Sequence, residues 1–350
     1  MEKFDFAVIG AGPAGSTIAR LLARSFKVLL VDARNPADID GNYEKCCGGL
    51  LAPDAQKILA LLNLALPENV IGGPQIFAVD TFDLHTGIKR LYQRFYLNLS
   101  RRHLDCWLLN IAIQAGAEFR PNLRFSSFDG QTVTFSGISG VSKISCRGII
   151  AADGAASAVR KKLGVPVKKN DVYIAIQDKM TTTGNEKFFR AFFDSEFTDY
   201  YGWSIPKRDA LLFGGIFPAD GTAITRFKLM KDKAIRSGIP VNGEVLHRSG
   251  SLVIRPRSGS DLWFGNGRTF AVGEAAGVIS PSSAEGFSYA LRSAMLLAEV
   301  LTNNHDADAA EYSRKAWKLK LILLGKRIKS PFMYMPLLRE VILRSGVGAI

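Results

Sequence analysis

A short apolar run that turns into glycines and then into a helix constrains this chain more than any other feature. Residues 6–9 read FAVI, the pattern of a fully buried strand, and residues 10–15 read GAGPAG, which places Gly10, Gly12 and Gly15 in G-x-G-x-x-G spacing. In a strand–turn–helix unit of this kind the first glycine allows a tight turn, the second lets a pyrophosphate approach the backbone, and the third lets helix and strand pack closely. The N–H groups at the helix N-terminus then favour bound phosphate.

A second predicted strand completes this nucleotide-binding pattern. Val28–Val31 is apolar throughout and ends at Asp32, about 20 residues beyond the glycines, where a carboxylate can accept a hydrogen bond from a ribose hydroxyl. Strand, glycines, helix, strand and acid in this order predict dinucleotide binding. The pattern by itself does not distinguish NAD from FAD.

The length and composition are those of a globular protein with a large core. The chain has 350 residues, of which 47% are hydrophobic, and we expect two lobes. The first strand begins almost at Met1, which predicts that there is no cleavable signal peptide. No apolar run approaches the ~18–20 residues of a membrane span. We therefore expect a cytoplasmic protein, or one that lies peripherally on the inner face of a membrane.

The charge is strongly basic, whereas the cysteines are few. The 45 basic and 32 acidic side chains leave a net charge of +13, which suits an anionic surface or a phosphorylated substrate; the alternative is a generally basic, solvated surface. Four cysteines in a chain of this length do not suggest a disulfide framework. Cys106 and Cys146 stand among apolar neighbours and are interpreted as core residues.

The middle of the chain changes from helical periodicity to β-branched and aromatic residues punctuated by Gly, Pro and Asp. This pattern predicts an antiparallel sheet rather than further β-α-β units, with strands near 173–176, 188–193, 200–205 and 211–217. A strand followed by glycine and a helix returns at residues 269–301. The order indicates a nucleotide-binding domain interrupted by a sheet insertion.

Two further motifs, far from the glycines in sequence, indicate FAD rather than NAD. Residues 151–160 read AADGAASAVR and residues 270–286 read FAVGEAAGVISPSSAEG. Together with the glycine turn they resemble the FAD-dependent hydroxylases and reductases built on the para-hydroxybenzoate hydroxylase fold. The resemblance implies that Asp153 lies close to the dinucleotide. It also implies that Glu274, which replaces the family's aspartate, contacts the ribityl and pyrophosphate groups.

Three shorter segments narrow the resemblance to the geranylgeranyl reductase family. Residues 45–53, KCCGGLLAP, are similar to that family's K-P-C-G-G segment, with Cys47 at the position of its cysteine. Residues 201–207, YGWSIPK, resemble its Y-x-W-x-F-P-K motif, and residues 101–108 fit a helix whose arginine contacts FAD. The sequence of the first segment is most similar to that of a small bacterial branch, the CbrA-like oxidoreductases.

These observations together predict an α/β fold with a discontinuous Rossmann-like FAD-binding domain. We expect this domain to comprise residues 1–75, 95–168 and 262–310. The inserted antiparallel β-sheet substrate domain is expected to comprise residues 76–94 and 169–261. A basic helical C-terminal segment is expected to follow at 311–350.

The motifs and the resemblance mark the residues that we expect to hold FAD and to act on the substrate. The cofactor candidates are Gly10, Gly12, Pro13, Ala14, Gly15, Asp32, Ala33, Cys47, Gly48, Gly49, Arg101, Phe125, Asp153, Gly154, Gly273, Glu274, Pro281, Gly286 and Phe287. The catalytic candidates are Cys47, Tyr201 and Trp203. Glycine at 48 and 49 is expected to let the backbone approach the flavin ring. Cys47 is a proton donor, a redox partner or a polarizable wall of the pocket, and the residues leave these roles open.

The reaction that the resemblance implies is reduction of carbon–carbon double bonds in an isoprenoid chain. Flavin N5 would supply the hydride, NAD(P)H or ferredoxin would supply the electrons, and the substrate would be a hydrophobic small molecule or prenyl lipid. Two alternatives stay open. One is an FAD-dependent monooxygenase on the same fold, a hydroxylase or epoxidase. The other is a non-catalytic protein that retains FAD and binds a lipid or a partner.

The aromatic residues of the insertion are candidates for an apolar substrate pocket. Strand alternation predicts that Phe188, Phe192, Tyr201 and Trp203 line one face; the alternative is ordinary sheet core. The four histidines show no metal-ligand spacing, so no metal site is predicted. No nucleic-acid recognition module is found, and we expect no nucleic-acid partner.

The C-terminal segment has the composition of a surface-binding helix. Between Arg314 and Arg344 the only acid is Glu340, and residues 317, 321, 324 and 328 place Trp, Leu, Leu and Ile on one helical face. This pattern fits an interfacial helix on anionic lipid. The alternative is a helix docked on the flavin domain with solvated lysines.

Overall fold

The computed structural model describes residues 1–36, 38, 45–138, 140–182 and 186–345, which form two sheets with surrounding helices. The strands are β1 (Lys3–Ile9), β2 (Val28–Val31), β3 (Leu50–Leu51), β4 (Ile76–Asp83), β5 (Lys89–Asn98), β6 (Glu118–Arg120), β7 (Leu123–Phe128), β8 (Thr132–Gly137), β9 (Gly140–Ala151), β10 (Val172–Met180), β11 (Phe189–Phe193), β12 (Gly202–Pro206), β13 (Leu211–Pro218), β14 (Val245–Ile254), β15 (Gly265–Asn266) and β16 (Thr269–Ala271). The α-helices are α1 (Pro13–Leu22), α2 (Pro53–Leu61), α3 (Arg101–Gln114), α4 (Ala158–Lys162), α5 (Ala223–Arg236), α6 (Phe287–Asn303), α7 (Ala309–Lys315), α8 (Trp317–Tyr334) and α9 (Pro336–Ser345).

The first sheet has the parallel arrangement that the glycine motif predicts. Its strands run in the order β15-β16-β9-β1-β2-β6, the pairs from β16 to β6 are parallel, and the β7–β8 hairpin extends β9. The apolar run of β1 is buried along its length because α1 and α6 pack against the sheet. The α/β class and the Rossmann-like domain are therefore confirmed.

The helix expected at residues 101–108 is α3, which begins at Arg101. Leu97 and Asn98 stay in β5, and the Ser100 side chain caps α3 by accepting a hydrogen bond from the backbone of His103. The Asn98 side-chain amide donates to the Pro206 carbonyl at 2.8 Å, which holds the end of β5 in the second sheet. A tertiary contact thus keeps residues 97–98 in the second sheet, and α3 begins only after them.

The second sheet is the predicted insertion. Its order is β14-β10-β13-β12-β11-β4-β5-β3, and its pairings are antiparallel apart from the parallel pair β11–β4. It includes Leu50–Leu51 and continues to Asn98, both beyond the insertion bounds of 76–94 and 169–261, which remain predictions. Helix α5 covers one face through Phe227 and Met230; we call this the outer face and the opposite one the inner face.

The C-terminal helices join the two sheets. Leu319 and Leu323 of α8 pack into the core of the first sheet, whereas Met333 packs against the inner face of the second. Helix α9 is held by Arg339, whose Nε donates to Asp83 of β4 at 2.8 Å with both side chains almost completely buried. Among the described residues, no helix combines the length and apolarity needed to cross a bilayer.

The buried Arg339–Asp83 pair gives a test of this docking. Arg339→Leu is expected to lower the free energy of unfolding by about 3–5 kcal/mol, because it leaves the Asp83 carboxylate buried without its cation. Arg344 forms an exposed pair with Glu340 at 2.8 Å on the same helix, so Arg344→Leu is a matched control with an expected loss below about 1 kcal/mol. Urea unfolding of the three proteins measures both effects. Equal losses in the two variants would contradict the anchoring role.

Candidate functional site

The carboxyl ends of the central parallel strands bring the glycine turn and the first acid together. Ile9 and Ala151 are register partners at the ends of β1 and β9, and Asp32 follows β2 at the same edge. The Asp32 carboxylate accepts from the backbone N–H of Ala11 at 2.8 Å and of Arg34 at 2.9 Å. These bonds fix the carboxylate beside the glycine turn, and its remaining lone pairs can accept from a ribose hydroxyl.

The three motif glycines have different surroundings. Gly10 has φ of +105°, and a Cβ there would lie 2.5 Å from the Ala152 carbonyl oxygen. A Cβ on Gly15 would lie 1.8 Å from the Gly10 carbonyl oxygen, so this glycine is required by helix–strand packing. Around Gly12, in contrast, a Cβ would meet no described atom within 4 Å. Gly12 therefore leaves open space where a phosphate can reach the start of α1.

Asp153 places an unpaired oxygen in the same region. Its Oδ2 accepts from the backbone N–H of Ala158 at 2.7 Å and of Val159 at 3.2 Å. Its Oδ1 is buried and, among the described residues, has no hydrogen-bond partner. Burial raises the pKa of Asp153 above its ordinary value. A buried acceptor without a donor fits a ligand hydroxyl, as the ribose or ribityl group of a dinucleotide would supply.

The third motif closes the site from the C-terminal part of the chain. Gly273 follows β16 with φ of +60°, and a Cβ there would lie 2.9 Å from the Ala14 Cβ of α1. The backbone N–H of Gly273 donates to the Ser293 hydroxyl at 2.9 Å, which ties the turn to α6. Glu274 lies next to Gly286, whose hypothetical Cβ would be 3.3 Å from the carboxylate. Motifs more than 250 residues apart in sequence thus lie in contact.

These stretches line a cavity of about 710 Å³. Nearly all of the predicted site residues contribute to its wall: Gly10, Gly12, Pro13, Ala14, Asp32, Ala33, Cys47, Gly48, Gly49, Arg101, Phe125, Asp153, Gly154, Gly273, Glu274, Gly286, Phe287, Tyr201 and Trp203. Gly15 and Pro281 do not line it. Gly15 faces the Gly10 carbonyl, and Pro281 is buried with its carbonyl accepting from Arg255.

The CCGG segment is held against the second sheet by a side-chain amide. Gln177 of β10 donates to the Cys47 carbonyl at 3.5 Å and accepts from the Trp203 indole N–H at 3.0 Å. A Cβ on Gly48 would lie 2.4 Å from the Ile205 Cδ1, so the segment packs directly against β12. Gln177 does not belong to any of the motifs, so the sequence analysis did not predict that it holds the CCGG segment.

The two adjacent cysteines differ in environment. Both are free thiols. Burial raises the pKa of Cys46 to about 12, so this thiol stays protonated. The Cys47 sulfur lines the cavity and accepts from the Gly49 N–H at 3.4 Å. Both cysteines line the cavity, and Cys47 is the less buried of the two.

The expected aromatic face is partly wrong. Ala191 is the register partner of Trp203, so Trp203 shares the inner face with Ala191 and with Phe189, two residues before it. Phe192 therefore points to the outer face and packs among the residues beneath α5. Phe188 precedes β11 and does not line the cavity. The wall contains Phe189 instead, because the expected alternation was one residue out of register.

A carboxylate and a phenol that the sequence analysis missed also line the cavity. Tyr96 donates its hydroxyl to Glu285 at 3.0 Å, and Arg94 donates to the same oxygen at 3.2 Å. Lys326 of α8 lies 4.0 Å from the other Glu285 oxygen. Burial and the nearby Glu285 raise the pKa of Tyr96 well above its ordinary value. Glu285 stands one residue before the predicted Gly286, but only the fold places Tyr96 against it.

Lys207 is a half-buried cation beneath the CCGG segment. Its ammonium donates to the Leu99 carbonyl at 3.0 Å and to the Asn98 side chain. Burial lowers the pKa of Lys207 to about 8, opposed by the nearby Cys47 sulfur. The last residue of the YGWSIPK segment therefore supports the loop from below.

One group of potential metal ligands lies outside the cavity. Donor atoms of His85, Asp194 and Glu196 lie within 4.8 Å of one another. The Lys233 ammonium, however, lies 2.5 Å from an Asp194 oxygen and 2.7 Å from a Glu196 oxygen. A lysine thus already neutralises the cluster, and it carries no argument for a cation site.

Comparison with solved structures shows that the fold is shared with CmlS, a flavin-dependent halogenase, which matches with a TM-score of 0.71 at 16% identity, covering 93% of this chain and 63% of that one. A geranylgeranyl bacteriochlorophyll reductase-like protein from Thermoplasma acidophilum matches with a TM-score of 0.83 at 20% identity, covering 99% of this chain and 90% of that one. The p-nitrophenol 4-monooxygenase PnpA from Pseudomonas putida matches with a TM-score of 0.75 at 16% identity, covering 99% and 93%. Residues 8–37 match the model of the NAD(P)-binding Rossmann-like domain.

Sequence comparison gives the family. Protein CbrA from Escherichia coli O9:H4 (strain HS) is 39% identical over 354 aligned positions, which cover 100% of this chain and 95% of the relative. The chain therefore belongs to the CbrA family, and the predicted CbrA-like branch is confirmed.

The half-buried lysine generates a test of the site's electrostatics. In the wild type, the unfolded chain holds the Lys207 proton between about pH 8 and its ordinary pKa of 10.5, whereas the folded chain does not. The free energy of unfolding of the wild type, relative to that of Lys207→Gln, is therefore expected to rise by about 3 kcal/mol as the pH increases through this interval. Urea unfolding at several pH values measures the difference. Lys228→Gln, at an exposed position on α5, should show no such trend. A flat Lys207→Gln difference would contradict the burial of the charge.

Proposed function

We propose that this protein is an FAD-dependent oxidoreductase that reduces carbon–carbon double bonds of a hydrophobic, isoprenoid-type substrate. The observation that carries the proposal is that three dinucleotide motifs and an aromatic sheet face line the same cavity. When bound, FAD would supply a hydride at N5. Substrate binding and proton supply are assigned to residues of this chain, and the electrons to an external donor.

The first-sheet side of the cavity fits the dinucleotide. Gly12 and the start of α1 would hold the pyrophosphate, and Asp32 would hold the adenosine ribose. The unpaired Oδ1 of Asp153 would accept from a further hydroxyl. Arg101 lies 5.0 Å from the centre of the Phe287 ring and is oriented by Asp105 at 2.8 Å, which leaves a fixed cation at the cavity wall.

The second-sheet side fits an apolar substrate. Phe189, Trp203, Ile205, Ile216 and Val253 contribute to its wall and would exclude water from a bound chain. Polar groups in this part can move a proton. Tyr96 and Glu285 are joined by a hydrogen bond, and Lys326 connects Glu285 to the surface of α8. We assign this relay the proton that the second carbon of a reduced double bond requires.

A monooxygenase is the second candidate. It is favoured by the fold similarity to p-nitrophenol 4-monooxygenase, whereas similarity to the geranylgeranyl bacteriochlorophyll reductase-like protein favours reduction. The reductase and the monooxygenase differ in what the reduced flavin reacts with. In the reductase it is an electron-poor or suitably held alkene, and in the monooxygenase it is oxygen. NAD(P)H or ferredoxin is proposed as the external electron donor in both.

Flavin binding is tested by adding one methyl group at the glycine turn. Gly12→Ala should fold normally, because its Cβ meets no described atom within 4 Å, yet it should weaken FAD binding at least tenfold by occupying the space of the phosphates. Gly259→Ala also has an open Cβ and lies outside the cavity, so it should bind FAD as the wild type does. Equilibrium fluorescence titration of the flavin measures both affinities. Unchanged affinity in Gly12→Ala would contradict the assignment.

The reaction is tested by anaerobic mixing of reduced, flavin-loaded protein with polyprenyl lipids. Reduction predicts the return of oxidised-flavin absorbance and a product heavier by two hydrogens, detected by mass spectrometry. Tyr96→Phe and Glu285→Gln should each slow this step by about 10²-fold or more. Tyr312→Phe removes a buried hydroxyl that donates to the Ser293 carbonyl outside the cavity, and this variant should not slow the step.

Two outcomes would redirect the proposal. An oxygenated product that forms only after oxygen is admitted favours the monooxygenase. Flavin that none of the supplied donors and acceptors turns over favours a non-catalytic flavoprotein that binds lipid.

A further inference from the structure

Helix α8 carries a continuous apolar stripe that faces away from the protein. Its members are Trp317, Leu321, Leu324, Ile328 and Phe332, with exposed fractions of 53, 56, 37, 71 and 42%. Leu337 and Val341 of α9 are exposed at 79 and 64%. Large side chains at this exposure are scattered singly on most protein surfaces, whereas these recur every three or four residues.

The stripe is flanked by basic side chains on both sides. Projected along the helix axis at about 100° per residue, the five apolar positions span an arc of about 80°. Lys318 and Lys329 lie on one side of this arc, and Lys320 and Arg327 lie on the other. Lys318, Arg327 and Lys329 are exposed. Long basic side chains in these positions can extend past the apolar stripe toward an anionic surface.

The opposite face of α8 packs against the rest of the protein. Leu319 and Leu323 pack into the core of the first sheet, and Met333 packs on the inner face of the second. Tyr334 donates its hydroxyl to the Ser282 carbonyl. The stripe is therefore not a core face that lacks its docking site, because the docking face lies on the other side of the helix.

We propose that α8 and the exposed side of α9 form a docking surface for an anionic lipid bilayer. An apolar arc that is too narrow for a spanning helix but bordered by cations is the pattern of a helix that lies in the plane of the interface. The charge is complementary to anionic headgroups: residues 314–344 contain nine basic residues and one acid. On this proposal one helix would be docked on the protein through one face and would contact lipid through the other.

This surface also lies close to the cavity. Met333 and Tyr334 belong to the side-chain cluster that contains the cavity residues Phe189, Trp203 and Ile205. A bilayer on the exposed face would lie about one helix diameter, ~10 Å, from that cluster. Membrane docking would therefore place a bilayer-dissolved substrate near the cavity without a long transfer through water.

Flotation of the full-length, flavin-loaded protein with vesicles tests the proposal without any substrate. The protein should bind vesicles of phosphatidylcholine mixed with phosphatidylglycerol and should bind phosphatidylcholine alone much more weakly, with salt reducing the difference. Leu321→Ser combined with Ile328→Ser should weaken binding about a hundredfold. Lys318→Gln combined with Arg327→Gln should weaken it about 25-fold, because each basic residue contributes about fivefold.

Helix α5 on the outer face supplies matched controls. Ile224→Ser with Ile235→Ser, and Lys228→Gln with Arg236→Gln, remove the same chemistry from exposed positions and should leave vesicle binding unchanged. Circular dichroism should show equal folding of all variants. Three results would overturn the proposal: no vesicle binding by the wild type, equal losses in the α5 variants, or a wild-type dimer that the Leu321/Ile328 variant converts to monomer.

Because no substrate or electron donor is present, this experiment is independent of the proposed reaction. Loss of vesicle binding leaves the anaerobic flavin assay unaffected, and failure of the flavin assay leaves the vesicle result standing.

Discussion

The site depends on backbone approaching backbone at the carboxyl edge of the first sheet. Between Gly10 and Ala152, and between Gly15 and Gly10, there is no room for a single methyl group. This contact lets β1 and β9 end side by side while α1 starts directly above them. Gly273 repeats the approach against Ala14 from the C-terminal part of the chain. Without these contacts Asp32, Asp153 and Glu274 would not share a cavity.

The second sheet converts this nucleotide edge into an enclosed site. Its outer face is committed to α5, so its inner face is the one available to the cavity. Hydrogen bonds across the boundary hold the two parts in register: Gln177 links β10 to the CCGG segment, and Lys207 supports that segment through Asn98 and Leu99. Burying these polar groups is tolerated because each finds partners, and the same burial makes Lys207 sensitive to pH.

The C-terminal helices have two distinct roles. Arg339 and Asp83 lock α9 onto β4, and Tyr334 closes α8 against the Ser282 backbone. In the same helix, Lys326 contacts Glu285 and extends the polar network of the cavity toward the surface. One segment therefore packs behind the cavity wall, would extend the proposed proton relay toward the surface, and presents an apolar stripe outward. This combination suits an enzyme whose substrate is dissolved in a membrane, where the site must be dry inside and close to lipid outside.

The sequence by itself determined the fold class and most of the cavity wall, because both follow from local patterns. Glycine spacing, an acid after a strand and short motifs identified the strands' ends, and parallel strands necessarily bring those ends to one edge. Only the tertiary structure decided which aromatic residues face the cavity: a one-residue difference in register exchanged Phe192 for Phe189. It alone also placed Tyr96 against Glu285 and Gln177 against Cys47, since these partners are 189 and 130 residues apart. Such pairings carry no sequence signal because a side chain's partner across two sheets is set by packing, and packing is a property of the whole chain.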